Sequence, residues 1–477
     1  MQLSYLEDFD SVIPAIQVLY ALGWHYLSRE EALRLRNGRL DQVVLTEVLR
    51  PWLETNNRIE VKGETHFFSD ANIAEAIRRL TDEPFDGLIR TNEKSYHLLT
   101  LGTSLDQTIG GDRKGRSLHF INWQNPEKNI FHVTNEFAVE RSRSHDTARP
   151  DLVLFVNGIP LVVIECKRRD KDHQAGQKQI EIAVEQMIRN QKDDYIPHLF
   201  QFGQLLIGTS VNEARYGTVG TSRKYWSVWK EEGAFDQEVH STANTRLPAE
   251  VEAKIFAPLE EKDAAAYRNA RQHFNELWAG GDRLPTEQDK TLWALLRPKR
   301  LLELVYGYIV FDAGVRKIAR YQQYYAVKRT IERVIPLREG VRQGGVIWHT
   351  TGSGKSLTMV MLAKALALHP AISNPRVIIV TDRVDLDDQI WRTFGACGKS
   401  AEKANTGEHL VRLITEGKAS VITTIINKFG TVKGKYGVTD TNPNIFVLVD
   451  ESHRTTGTSS GNQTGDLLPS PGLHRDN

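Results

Sequence analysis

The sequence predicts an α/β protein of two unlike domains, a mixed strand-and-helix domain followed by a lobe built on a parallel sheet. Three observations carry this expectation. Residues 149–170 read as two apolar strands meeting at Asn157-Gly158, a strong hairpin signal. A short apolar run, 344–348, leads through a glycine-containing loop into the helical spacing of 356–369. Apolar runs at 345–349, 376–382, 420–425 and 445–450 alternate with helical patterns, as strands laid parallel do. At 477 residues the chain has room for two or three domains. The boundaries expected are 1–250 for the mixed domain, 251–300 for a charged helical connector and 301–453 for the parallel-sheet lobe. Residues 454–477 are rich in Gly, Ser, Thr and Pro and are expected to lack the apolar content needed to order themselves.

The hairpin at 149–170 carries the first chemistry. Asp151 stands at one strand end, and Glu165 and Lys167 at the other. Residues two apart on a strand share a face, so Glu165 and Lys167 point together and Cys166 points away. Two carboxylates and a lysine at one spot suit metal-dependent phosphodiester cleavage, because Mg²⁺ is held by one or two carboxylates plus waters and substrate phosphate. Register is the test. A two-residue turn pairs 156 with 159 and sets Asp151 opposite Ile164, leaving Glu165 on the wrong face. An odd-numbered loop or a bulge sets Asp151 opposite Glu165. Pro160, which cannot donate to a ladder, favours irregular pairing.

The second chemistry lies in HTTGSGKS, 349–356. Gly352 and Gly354 let the backbone fold around phosphates, with the amides of 351–354 (Thr351 and Ser353 included) pointing inward. Lys355 reaches the β- and γ-phosphates, and Ser356 ligates Mg²⁺. His349 stands where the general pattern has glycine. Downstream, IFVLV at 445–449 ends in Asp450 and Glu451, at the carboxyl end expected of a buried parallel strand. Asp450 would hold Mg²⁺ through water, and Glu451 would orient the attacking water.

These residues carry a family resemblance. DESH at 450–453 resembles the DEAH/DExH signature of superfamily 2 motors. RVIIVTDRVDLDDQI (376–390), in which Asp385 would cap a helix, and VITTIINKF (421–429) look like later motifs of the same group, with Asn427 where relatives have Gln. RYQQYYAV (320–327) resembles their adenine-recognising element, with Gln323 as base reader. Pro150-Asp151 and Glu165-Cys166-Lys167 match the PD-(D/E)xK nuclease motif. Together the two sites resemble the R subunit of type I restriction enzymes, an amino-terminal nuclease fused to a double-stranded-DNA translocase. The resemblance covers residues 1–453 and implies ATP and Mg²⁺ as cofactors. It implies DNA together with modification and specificity subunits as partners. It also implies a glutamine on the helix after the nuclease strand, which aligns with Gln186, while Asn190 stands at the companion tyrosine position. An acidic residue of the first helix is implied too, with Glu7, Asp8 and Asp10 all open.

Composition bounds the reading without deciding it. Net charge is +1, which neither demands nor excludes DNA. Basic strips at Arg141, Arg143 and Arg149, at Lys167 to Lys171 and at 297–300 are candidate DNA contacts. The two cysteines, Cys166 and Cys397, suggest no disulfide framework. No signal peptide or apolar run of spanning length is present, so a cytoplasmic protein is expected. The resemblance implies a second motor lobe after residue 453, and the 24 residues that follow read as truncated or out-of-frame sequence. The leading expectation is therefore a type I restriction subunit lacking motor activity. Two alternatives are a stand-alone DNA-repair helicase–nuclease and a non-catalytic nucleotide- or DNA-binding remnant.

Overall fold

A computed structural model describes residues 11–170, 178–257, 264–312, 314–350, 353–369, 371–381, 400–416, 419–425 and 442–450. It divides into two compact units: residues 1–306 with 314–318, and residues 307–313 with 319–477. Asp385, Asn427, Glu451 and residues 454–477 fall outside the described residues, as do Thr351, Gly352, Glu7, Asp8, Asp10 and Cys397.

The first unit is built on a six-stranded mixed sheet. Its strands, in spatial order, are β1 (His25–Tyr26), β2 (Phe131–Asn135), β3 (Leu152–Val156), β4 (Ile159–Cys166), β5 (Leu205–Thr209) and β6 (Ala214–Gly217). β1 runs parallel to β2 and β4 parallel to β5, while the remaining neighbours are antiparallel. Every residue of β3, β4 and β5 is buried, which is why these stretches read as continuous apolar runs rather than alternating ones. Helix α1 (Ile13–Ala21) packs against α3 (Glu287–Leu296) and the helix Asp236–Ala243. Helix α2 (Gln179–Asn190) lies on β4 and β5. Gly208 permits that approach, since a Cβ there would stand 3.3 Å from the Ala183 Cβ.

The hairpin has a two-residue turn and a bulge. Asn157 (φ 52°) and Gly158 (φ 82°) both take the positive φ of a tight hairpin turn. Asn157 is locked by bonds to the Phe120 and Ile130 backbone, and a Cβ on Gly158 would fall 2.5 Å from the Leu45 carbonyl oxygen. Pairing starts regularly with Ile159 opposite Val156 and Pro160 opposite Phe155. It then slips by one residue between Pro160 and Val162, so that Ile164 faces Leu152. Continued by one step, the register sets Glu165 across from Asp151.

The stretch expected as a connector packs within the first unit. α3 is capped by Thr286, with Asp289 completing a capping box, and Gln288, Asp289 and Thr291 to Leu296 are buried. The charged residues of this expected helical connector are in part engaged internally, as the Arg283–Asp289 ion pair shows.

The second unit holds a parallel sheet of four described strands. They are β7 (Arg376–Val380), β8 (Ala401–Lys403), β9 (Val421–Thr424) and β10 (Ile445–Val449), in the spatial order β8-β9-β7-β10. Helix α4 (Tyr321–Val334) packs against α5 (Lys355–Ala367), and α5 packs on β7. Helix α6 (Gly407–Glu416) closes a core with Leu410, Leu413 and Ile414 set against Ile378, Val380 and Ile422. One expected strand is not formed. Residues 343–350 lie outside any helix or strand, with Val346 85% and Trp348 94% exposed. Three apolar residues after two glycines are too short a run to specify a strand, and here neither their faces nor their backbone groups are covered.

Candidate functional site

The slipped register brings Asp151, Glu165 and Lys167 together. The Lys167 ammonium donates to Glu165 Oε1 at 2.8 Å and to the Cys166 carbonyl at 3.0 Å, and stands 3.6 Å from Asp151 Oδ2. Asp151 Oδ2 accepts the Cys166 N–H at 2.7 Å, which fixes the carboxylate across the hairpin. Glu165 is fully buried, and its second oxygen, Oε2, is buried with no hydrogen-bond partner. Cys166 points away into the core as a free thiol, raised well above the ordinary value chiefly by burial. Among the described residues no group of three or more His, Cys, Asp and Glu gathers in a metal-holding arrangement. The donor set on offer is therefore a carboxylate pair, the kind that Mg²⁺ accepts along with waters. An orphaned carboxylate oxygen beside a second carboxylate fits such an ion.

Burial, then the neighbouring Asp151 carboxylate, pushes the Glu165 carboxyl well above the usual value of 4.5, while Lys167 pulls it down. The folded chain thus keeps a proton on Glu165 where the unfolded chain has lost it. Stability from this group is complete below the unfolded pKa and falls as pH rises toward the folded one. Glu165→Gln removes that titration. In EDTA the variant is expected to melt above the unaltered chain at pH 8, with the gap closing toward pH 5. Thermal melts at the two pH values check this, and a gap that grows toward acid contradicts it.

Gln186 lies half-buried on α2 and makes no hydrogen bond to Asp151, Glu165 or Lys167. Asn190 on the same helix is buried. Of the basic strips, Arg143, Arg149 and Arg169 are exposed. Arg141 instead stacks on the Tyr195 ring at 4.3 Å and donates to the Asp194 carbonyl. The strip at 297–300 is in part committed elsewhere: Arg297 and Arg300 both pair with Glu231, at 3.1 and 2.8 Å. Two guanidinium groups tied to one carboxylate are structural, so these two arginines are engaged inside the unit, while Lys299 of the same strip is exposed.

The phosphate loop is assembled by α4 and α5. Gly354 caps α5 in the left-handed conformation (φ 88°, ψ 39°). The buried Gln323 donates from Nε2 to the Gly354 carbonyl at 3.1 Å, and its Oε1 accepts the Arg320 N–H at 2.9 Å. Its side chain thus braces the loop. Ser353 donates to the Thr350 carbonyl at 2.6 Å, and His349 Nδ1 lies 3.2 Å from Ser353 Oγ. Because the Ser353 proton is used on Thr350, His349 is the donor in this contact, through an Nδ1–H. Burial, then the Lys355 charge, lowers its pKa and so favours the neutral ring. The residue standing in place of glycine is therefore part of the loop's internal bonding. Lys355 and Ser356 open α5, half-buried. Asp450 follows β10, its N–H bonded to the Val380 carbonyl at 2.9 Å, which sets it at the carboxyl end of the parallel sheet.

Sequence reasoning missed Ser11, Thr209 and Gln288, which gather behind the carboxylate cluster. No local pattern marks them, because they meet only through contacts as far as 277 residues apart.

Comparisons with known proteins agree with this two-part organisation. Residues 8–225 match the family described as type I restriction enzyme R protein N terminus, and residues 322–471 match the SWI2/SNF2 ATPase family. The chain is 27% identical over 472 residues to the type I restriction enzyme HindI endonuclease subunit of Haemophilus influenzae, a match covering 94% of this chain and 39% of the relative. It is 28% identical over 460 residues to the putative MjaIXP endonuclease subunit of Methanocaldococcus jannaschii, covering 94% and 40% respectively. A Staphylococcus aureus endonuclease subunit, SauCOLORF180P, is 27% identical over 348 residues, 71% of this chain and 30% of its own length. The chain thus spans about two fifths of the length of the first two relatives. A restriction-type amino-terminal match, an ATPase-type match after it and this likeness along nearly all of the chain's length together support an R subunit of the type I restriction enzymes.

Proposed function

We propose that this chain is a nuclease of the PD-(D/E)xK kind joined to the nucleotide-binding lobe of a superfamily 2 motor. In the complete enzyme, Mg²⁺-dependent DNA cleavage would be coupled to ATP-driven translocation. The observation that carries the nuclease reading is the buried, unpartnered Oε2 of Glu165 beside Asp151 and Lys167.

Asp151 and Glu165 would hold the cation, which supplies a Lewis acid for the scissile phosphate and its attacking water. Asp151 is pre-oriented by the Cys166 N–H, and Glu165 releases its proton when a cation replaces it. Lys167 holds its ammonium between the two carboxylates, where it can position a water or oppose charge on the phosphate. Gln186, on the neighbouring helix, would meet the DNA strand or its water. In the second unit the amides of 351–354 and Lys355 would cradle the phosphates, and Ser356 and Asp450 would hold the Mg²⁺ of ATP. Glu451 would orient water, and Gln323 would leave Gly354 to read adenine. Duplex DNA and the modification and specificity subunits are the partners proposed, in the cytoplasm. No helix among the described residues is long and apolar enough to cross a membrane.

Asp151→Asn tests the reading. Millimolar Mg²⁺ is expected to raise the melting temperature of the unaltered chain and to support nicking of supercoiled plasmid. The variant is expected to lose both while melting normally in EDTA. A variant that responds to Mg²⁺ like its parent would overturn the assignment.

A further inference from the structure

We propose that Gln288 is a positioning residue of the metal site, holding from behind the strand ends that present Glu165 and Lys167. This inference rests on the nuclease reading above.

The placement is made by one buried amide. Gln288, 1% exposed at the start of α3, accepts the Ser11 hydroxyl on Oε1 at 2.6 Å. The same oxygen accepts the Thr209 hydroxyl. Its Nε2 donates to the Ser11 carbonyl at 2.9 Å, and its backbone N–H donates to the Val211 carbonyl at 3.0 Å. One of the two residues it grips, Thr209, lies one contact from the cluster. The Thr209 carbonyl accepts the Lys167 N–H at 2.8 Å, the bond that continues the β4–β5 ladder past Cys166.

The physical consequence is that the end of β4 does not hold itself. Strand ends fray when the last ladder bond has nothing beyond it. Here that bond is Lys167 to Thr209, and Thr209 is pinned by a side chain arriving from α3. Fraying by one residue would free Lys167 from Glu165 and loosen the backbone between the two site residues. Outer partners that orient metal-binding groups typically control affinity or activity by about 10- to 100-fold. Gln288 reaches the site through Thr209, so it acts on geometry and touches neither ion nor substrate.

The test compares Gln288→Leu and Gln288→Asn with Val239→Ala, a variant of a buried residue on the helix Asp236–Ala243 that packs against α3 but has no polar link to the site. Hydrogen–deuterium exchange of the peptide containing Lys167 is measured in EDTA, and the Mg²⁺ midpoint is measured by thermal shift. Both Gln288 variants are expected to speed exchange at Lys167 and to raise the Mg²⁺ midpoint by about tenfold or more. Val239→Ala should lower the melting temperature while leaving both readouts unchanged. Gln288→Asn keeps a polar group at the position and supplies the measurement if the leucine variant does not fold. Exchange and midpoint shifts no larger than those of Val239→Ala would overturn the proposal. If the unaltered chain shows no Mg²⁺ response, the nuclease reading fails. The metal-free exchange arm still decides whether Gln288 positions the strand end.

Discussion

Lys167→Met is expected to reduce Mg²⁺-dependent cleavage by about 100- to 1,000-fold, the usual loss when one group stabilising developing charge is removed. Lys167 is 8% exposed and its ammonium stands 2.8 Å from Glu165 and 3.6 Å from Asp151, so no mobile surface charge can replace it. Methionine preserves the length and apolar stem of the side chain, which keeps the packing beside Cys166. Its effect should differ in kind from that of Asp151→Asn. Removing a cation from between two carboxylates leaves the site more attractive to Mg²⁺, so metal binding persists while cleavage is lost. Nicking rates at saturating Mg²⁺, set beside the Mg²⁺-induced thermal shift, separate the two. Cleavage within tenfold of the unaltered chain would remove Lys167 from the proposed mechanism.

Gly354→Ala should weaken nucleotide binding by the second unit about tenfold. Gly354 sits at φ 88°, where a side chain costs about 1–2 kcal/mol. The added Cβ would also lie 2.5 Å from Gln323 Nε2, the group that bonds the Gly354 carbonyl. The methyl therefore strains the loop and crowds the side chain proposed to read adenine. Since 1.4 kcal/mol is a factor of ten, affinity should fall by at least about tenfold. Titration of a fluorescent ATP analogue measures it, and unchanged affinity would mean that the loop does not use this conformation to bind nucleotide.

These two sites were legible in sequence to different depths. At the phosphate loop, the glycine, lysine and serine are contiguous, and α5 begins at Lys355 beside the expected start of 356. The apolar run before the loop misled, because Val346 to Trp348 have the composition of a strand but no partner among the described residues. At the hairpin, the residues and the register problem were both visible. The turn and the ladder answered it separately: Asn157-Gly158 makes the two-residue turn its dihedrals favour, and the slip after Pro160 corrects the face. A sequence showing both a strong Asn-Gly turn and a proline two residues later holds both instructions without stating which one governs residue 165.

The stretch 251–300 was read from its charge, and charge alone does not report burial. Arg283 with Asp289, and Arg297 and Arg300 with Glu231, look like a solvated face in sequence, yet Asp289, Glu231 and Arg300 are nearly buried in the fold. Gln288 was invisible for a related reason: an isolated glutamine in a helix signals nothing until its partners arrive.

By itself the sequence determined what is local: the phosphate-binding turn, the acidic end of the last parallel strand, and the carboxylates and lysine on the two arms of one hairpin. Each depends on dihedral preferences and periodicities that span a few residues. Only the tertiary structure decided that Asp151 and Glu165 face each other, that Glu165 is sealed from water with one oxygen unpartnered, and that Gln288 stands behind them. Those outcomes depend on ladder register and burial, which are set by strands and helices distant in the chain. Sequence spacing does not encode the free energy of contacts it does not yet contain.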